Sequence, residues 1–171
     1  YIEFNRFSSF QSLRRCTMPT NNWLPPDYNC LNPHLIVKDA VEAIKFYKKA
    51  FGATERCCMK NPENGQTIHA EVKIGNSVLM LCEECPDYGA LSPLSLNGSP
   101  VTIHLYVENV DETFNTAIAA GAKETLPPTD MFWGDRYARL TDPFGHSWSL
   151  ATHIKDLTME EMQEGMKACL K

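Results

Sequence analysis

From Pro33 to Lys38 apolar and polar positions alternate with period two, with Leu35 and Val37 on one side and His34 and Ile36 on the other, which predicts a short half-buried strand. The period then changes. Ala40, Ile44, Tyr47 and Phe51 recur at helical spacing, Asp39 stands where an N-cap is needed and Gly52 where the helix stops. Three further strand-like runs follow, at 53–59, 66–73 and 77–83, with turn signals at Asn64-Gly65 and Gly75-Asn76. The same order then returns. Leu105 and Val107 alternate with His104 and Tyr106, Asn109 caps a helix carrying Val110, Phe114, Ala117 and Gly121 on one face, and strands follow near 123–126, 135–141 and 146–152. The cap pairs Asp39 with Glu42, Asn109 with Glu112 and Thr158 with Glu161 read as capping boxes, the last opening a helix over 159–169.

A unit of this size said twice predicts one duplicated supersecondary module, and two such modules bury apolar faces against each other. The expected fold class is therefore α+β, with two tandem βαβββ modules whose sheets curl around a cavity. We divide the chain into a leader at 1–17, a domain at 18–157 (module one 31–86, linker 87–99, module two 100–154) and a C-terminal helix at 158–171. The leader combines Phe4, Phe7 and Phe10 with serines and arginines and has one acidic residue, a bias like that of an organellar transit peptide or of a plain extension.

Composition removes several function classes. A net charge of −5 with no basic stripe argues against nucleic acid, and no run approaches the roughly 18 apolar residues of a membrane span, which predicts a soluble protein. Seven irregularly spaced cysteines do not form a disulfide framework, so a reducing compartment is expected: the cytoplasm, or an organelle such as the mitochondrion if residues 1–17 are a transit-peptide remnant. Cys82 and Cys85 form a lone C-x-x-C without the second ligand pair that structural zinc requires.

The repeat also selects candidate chemistry. Since Leu35 and Val37 recur as Leu105 and Val107, that side should pack under the helices, leaving Asn32, His34 and Ile36, and Thr102, His104 and Tyr106, to line a cavity between the modules. The candidate ligand-binding residues are His34, His104, Trp133, Arg136 and His69, the arginine as a clamp for an anionic group and the tryptophan as a stacking wall. Asp135 and Arg136 could instead pair locally, and His69 with Glu71 could form an acid–base pair or an exposed strand edge. His146, in a turn, and His153, at a strand end, are expected at the surface.

The duplicated unit, Phe46-Tyr47 with Phe51-Gly52-Ala53, and above all Phe132-Trp133-Gly134-Asp135-Arg136 followed by Asp142-Pro143-Phe144-Gly145-His146-Ser147-Trp148, resemble the vicinal oxygen chelate superfamily. That group includes glyoxalase I, bleomycin-resistance proteins and extradiol dioxygenases, and the likeness is nearest to its PhnB-like branch. The resemblance implies a glyoxalase-like or bleomycin-resistance-like protein that binds or transforms a small organic molecule between the modules, commonly as a homodimer. Metal-dependent members of the group hold one divalent ion with His and Glu side chains on the first and last strands of each module. Those positions fall here on Asn32, Met80, Thr102 and Ser149, none of which is a histidine or carboxylate, so the usual metal site is absent and no cofactor is expected. Two alternatives stay open: a lyase, isomerase or dioxygenase with a divalent metal relocated to His34, Cys82 and His104, or a protein that sequesters its ligand without chemistry.

Overall fold

Each module converts its alternating segment into an edge strand. In module one β1 (His34–Val37) leads into α1 (Ala40–Phe51) and then into β2 (Thr54–Lys60), β3 (Thr67–Ile74) and β4 (Ser77–Glu83). A short helix in the connection, α2 (Pro93–Leu96), precedes β5 (Thr102–Tyr106), α3 (Val110–Ala119), β6 (Lys123–Asp130), β7 (Asp135–Thr141) and β8 (Ser147–His153), and α4 (Met159–Cys169) ends the described chain. The computed structural model describes residues 23–169, so the leader expected at 1–17 lies outside the described residues.

The strands form two separate four-stranded sheets, ordered β1-β4-β3-β2 and β5-β8-β7-β6, and the two are not closed into a barrel. In both, the first strand runs parallel to the last (Leu35 beside Leu81, Leu105 beside Leu150) and the other pairings are antiparallel. A parallel neighbour requires a crossover, and α1 and α3 supply it. Asp39 Oδ1 accepts the Glu42 N–H at 2.9 Å and Asn109 Oδ1 that of Glu112 at 3.2 Å, so both predicted N-caps form. Glu42 itself turns outward to Lys45 at 2.7 Å. The reciprocal box is complete only at α4, where Thr158 Oγ1 and Glu161 Oε2 each accept the other residue's N–H.

One hydrophobic core serves both modules, because α1 packs on α3 and both sheets turn their helix side inward. Leu35, Val37, Val72, Leu79 and Leu81 meet Ile44, Phe46 and Tyr47 there, and Leu140, Trp148 and Leu150 come from module two. Leu105 and Val107, the counterparts of Leu35 and Val37, are only partly buried. The helix faces match the sequence pattern, with Ala40, Ile44 and Tyr47 buried in α1 and Val110, Phe114 and Ala117 in α3.

The modules are joined at a buried carboxylate. Asp142 Oδ1 accepts the backbone N–H groups of Phe144 and His146 at 2.9 Å each, which shapes the β7–β8 turn. Its Oδ2 accepts the Trp148 indole N–H at 3.0 Å and, from the other module, the Tyr47 hydroxyl at 2.7 Å. Tyr47 is fully buried, and that burial pushes its phenol well above the usual range, so it stays a neutral donor. Its ring and that of Phe51 contact Trp148, at centroid distances of 5.5 and 4.7 Å. His146, expected at the surface, is buried instead, because the same turn aims its Nε2 at the Ile36 carbonyl of β1, 3.1 Å away.

Two elements differ from the sequence reading. β6 runs to Asp130 through Pro127 and Pro128, which is tolerated because it is the outermost strand and its register shifts there. The connection at 87–99 holds α2, too short for periodicity to reveal, pinned by Glu84, whose carboxylate accepts the Ser92 N–H at 3.0 Å and the Ser95 hydroxyl at 2.8 Å.

Since the carboxylate of Asp142 satisfies four donors, Asp142→Ala is expected to cost on the order of 3–5 kcal/mol, and Tyr47→Phe, which removes one bond to a charged acceptor, about 1.5–3 kcal/mol. Urea denaturation checks both. Losses below about 1 kcal/mol in both would mean that this contact does not hold the modules together.

Candidate functional site

With the helix sides consumed by the common core, the opposite faces of the sheets carry the chemistry. On module two, His104 and Tyr106 of β5 face outward and Tyr106 is 61% exposed. His104 Nδ1 lies 2.8 Å from the Ser149 hydroxyl on the adjacent β8. Its ring meets Tyr106 edge-to-face at 4.7 Å and stacks near Tyr137 at 6.2 Å, and Tyr137 meets Trp133 edge-to-face at 5.6 Å. Behind this row of rings sits Asp135, which is buried. Its Oδ2 accepts the Trp133 indole N–H at 3.1 Å and the Tyr106 hydroxyl at 3.2 Å, while Oδ1 lies 2.9 Å from His153 Nδ1.

Local sequence explains how the Trp133 indole comes to donate to Asp135. Gly134 has φ +97°, and its carbonyl accepts the N–H groups of Ile154 at 2.9 Å and Lys155 at 3.0 Å. A Cβ at this position would run into the Lys155 carbonyl oxygen, so only glycine lets the β6–β7 turn press against the chain leaving β8. His153 is held above the ordinary 6.5 by its bonds to Asp135 and then Asp156.

Arg136 departs from the expectation. Side chains alternate along β7, so while Asp135 and Tyr137 face the ring wall, Arg136 points to the helix side. It forms a two-pronged bond to Asp111 at the start of α3 (2.6 and 2.7 Å) and a third to Asp130 at 2.8 Å. All three contacts hold the strand to its own module. These bonds turn the guanidinium away from Trp133, and the pairing Asp135–Arg136 considered from the sequence is replaced by pairing with Asp111 and Asp130.

On module one the open face carries His34, His69 and Glu71. The rings of His34 and His69 meet edge-to-face at 6.2 Å. Desolvation, and then the neighbouring His69, holds His34 below the ordinary 6.5. His69 Nε2 lies 3.0 Å from Glu71 Oε1, and the same oxygen accepts the Tyr28 hydroxyl at 2.6 Å. Despite burial, which works the other way, these bonds keep the Glu71 carboxyl below its ordinary range. The sequence suggested the His69–Glu71 pair, but Tyr28, ahead of the repeat, carried no signal.

At the seam between the β1 and β5 sides of the modules, which no hydrogen-bonded ladder closes, a cavity of about 230 Å³ is lined by Pro33, Val78, Ile103, His104 and Trp148. A second, of about 250 Å³, lies along His34, Ile36 and the connection to β5. His104 lines the first of these cavities and His34 the second, and the two cavities share Pro33 and Ile103 in their walls. His34, Cys82 and His104 do not form a group whose ligand atoms all lie within 4.8 Å of one another. The three metal-ligating side chains that do converge among the described residues are Cys57, His69 and Glu71. Cys82 and Cys85 are free thiols. No helix among the described residues is long and apolar enough to cross a membrane.

The comparisons with known proteins agree with this architecture. The family model described as Glyoxalase/Bleomycin resistance protein/Dioxygenase superfamily matches residues 30–150. The uncharacterized protein Rv0887c of Mycobacterium tuberculosis is 43% identical over 141 residues, spanning 81% of this chain and 82% of that one. The solved structure of the Arabidopsis thaliana At5g48480 product superposes with a TM-score of 0.58 at 26% identity, over 71% of this chain and 96% of that chain. The PhnB protein from Bacillus cereus superposes with a TM-score of 0.56 over 72% and 99%, at an identity of 18% that speaks for the fold alone. By the family match over most of its length and by its paired βαβββ modules, this chain belongs to the glyoxalase/bleomycin resistance protein/dioxygenase superfamily.

Proposed function

We propose that this chain binds a small organic molecule on its open sheet faces beside the β1–β5 seam, and that it does so as a homodimer whose second copy covers what one chain leaves exposed. The observation that carries this reading is the wall of His104, Tyr106, Tyr137 and Trp133. Its rings are fixed in mutually edge-to-face and stacked orientations, and Tyr106 and Trp133 are pinned to one buried carboxylate. Rings already locked in place offer flat contact area at little entropic cost, which suits a planar or unsaturated part of a ligand. The seam cavity at His104 supplies an apolar recess for a substituent, and His104 and Ser149 supply polar atoms at its edge.

Binding without chemistry is the better supported form of this reading for module two. The carboxylate of Asp135 is engaged by three partners, and Thr102 and Ser149 offer no charged or imidazole ligand at the positions where the family resemblance implies a metal. The exposed rings of His104 and Tyr106, continued by the half-buried Tyr137 and Trp133, are also a surface that a second copy could cover, which supports the dimer.

An aromatic-fragment library screened by saturation-transfer NMR should yield binders whose affinity falls about tenfold in Trp133→Ala and in His104→Ala, the effect of ~1.4 kcal/mol expected from losing one contacting ring. The same samples should sediment at twice the 19.3 kDa chain mass. Unchanged binding in both variants together with a monomeric mass would refute the site. A pH test addresses the wall itself. The His153 pKa is raised in the folded chain, so its contribution to stability is fully present below the unfolded value near 6.5 and is lost as pH rises through the folded value. An NMR titration should place the His153 midpoint above 6.5, and Asp135→Asn should bring it back down. A midpoint unmoved by that substitution would show that Asp135 does not hold this histidine.

A further inference from the structure

Module one contains a convergence of side chains that the binding proposal does not use. β2 and β3 are antiparallel neighbours in which Cys57 stands opposite Glu71 and Met59 opposite His69. The β2 register shifts between Glu55 and Cys57. A bulge at this point frees consecutive residues from strict alternation, and both Arg56 and Cys57 reach the Glu71 side of the sheet. Arg56 Nε lies 3.3 Å from Glu71 Oε2, and one ligand atom each from Cys57, His69 and Glu71 lies within 4.8 Å of the other two.

We propose that Cys57, His69 and Glu71 form a binding site for a zinc-class divalent cation, with a fourth position open to water or an anionic group. This inference stands independently of the ligand wall on module two, and it lies on β2 and β3, away from Asn32, which precedes β1, and from Met80 on β4, Thr102 on β5 and Ser149 on β8. The donor set selects the metal. One sulfur, one imidazole nitrogen and one carboxylate oxygen suit a borderline ion such as Zn²⁺ and disfavour Mg²⁺ or Ca²⁺, which take oxygen ligands. Bonds of about 2.0–2.3 Å in a tetrahedron put ligand atoms roughly 3.3–3.8 Å apart, so the present spacing needs only small side-chain adjustments.

The surroundings also behave as an outer shell. Tyr28 donates to Glu71 Oε1 at 2.6 Å, Arg56 holds Oε2, and the Arg56 guanidinium lies over the Tyr28 ring at 4.8 Å, so the carboxylate is oriented before any ion arrives. The ion binds between His69 Nε2 and Glu71 Oε1, the neutral imidazole carrying its one proton on Nδ1, and Cys57 binds as thiolate, its proton leaving to water. Charges then sum to one positive: the ion and Arg56 against thiolate and carboxylate. That surplus favours an anionic group or an ionising water in the open position.

The full chain, stripped with chelator, is titrated with zinc and with cobalt(II). One equivalent of each should bind, and cobalt should give a thiolate-to-metal charge-transfer band with the strong visible bands of four-coordination. Because Glu71 also anchors Tyr28 and Arg56, the decisive variant is Cys57→Ser, whose circular dichroism should match the parent. It should lose the charge-transfer band and bind zinc at least tenfold more weakly, as should His69→Ala, while the double variant Cys82→Ser, Cys85→Ser keeps both band and affinity. Failure to bind an equivalent, or a band that survives Cys57→Ser or vanishes with Cys82 and Cys85, would overturn the site.

Discussion

The structure depends on one buried carboxylate shared by the modules. Asp142 folds its own turn with two backbone N–H bonds, fixes Trp148 in the core of module two, and takes the hydroxyl of Tyr47 from module one. An acceptor buried this deeply is tolerated only when all its lone pairs are used, and here two modules supply the donors. The consequence reaches beyond stability. Because α1 and α3 are drawn together at the centre, both sheets present their other faces outward, and those faces carry His34, the aromatic row that begins at His104 and the Cys57–His69–Glu71 group.

The two modules have diverged in opposite directions on this common frame. Module one places polar, titratable side chains around Glu71, with Tyr28 and Arg56 as supports. Module two places rings around Asp135. In each, a buried carboxylate on the third strand, Glu71 on β3 and Asp135 on β7, takes a tyrosine hydroxyl and faces a histidine nitrogen, so the duplication is visible in the logic of the sites.

Much of the fold was legible because the signals were local and repeated. The period-two and helical patterns, the caps at Asp39 and Asn109 and the Gly52 stop give the βαβββ order twice, and the Asp142-Pro143-Phe144-Gly145-His146 turn carries the family likeness. The sites were less legible because they depend on geometry that no local pattern encodes. Repeat position pairs His34 with His104, but it does not say which walls each one joins: His104 lies with Trp148 and Val78, His34 with the connection to β5. Arg136 stood beside Asp135 in sequence, but strand alternation sends it to Asp111. Cys57 reaches His69 and Glu71 through a bulge, and a bulge leaves no mark in hydrophobic periodicity. His146 looked like a turn residue until the turn was seen to face β1.

The central claim is that the Asp142–Tyr47 contact and the core around it make the two modules one cooperative unit. Native-state hydrogen exchange tests this most directly, by comparing the most protected amides of α1 with those of β7 and β8. The account predicts that both sets open with the same free energy, equal to that of global unfolding, and that Asp142→Asn separates them. Exchange of the two sets at different free energies in the unaltered protein would contradict it.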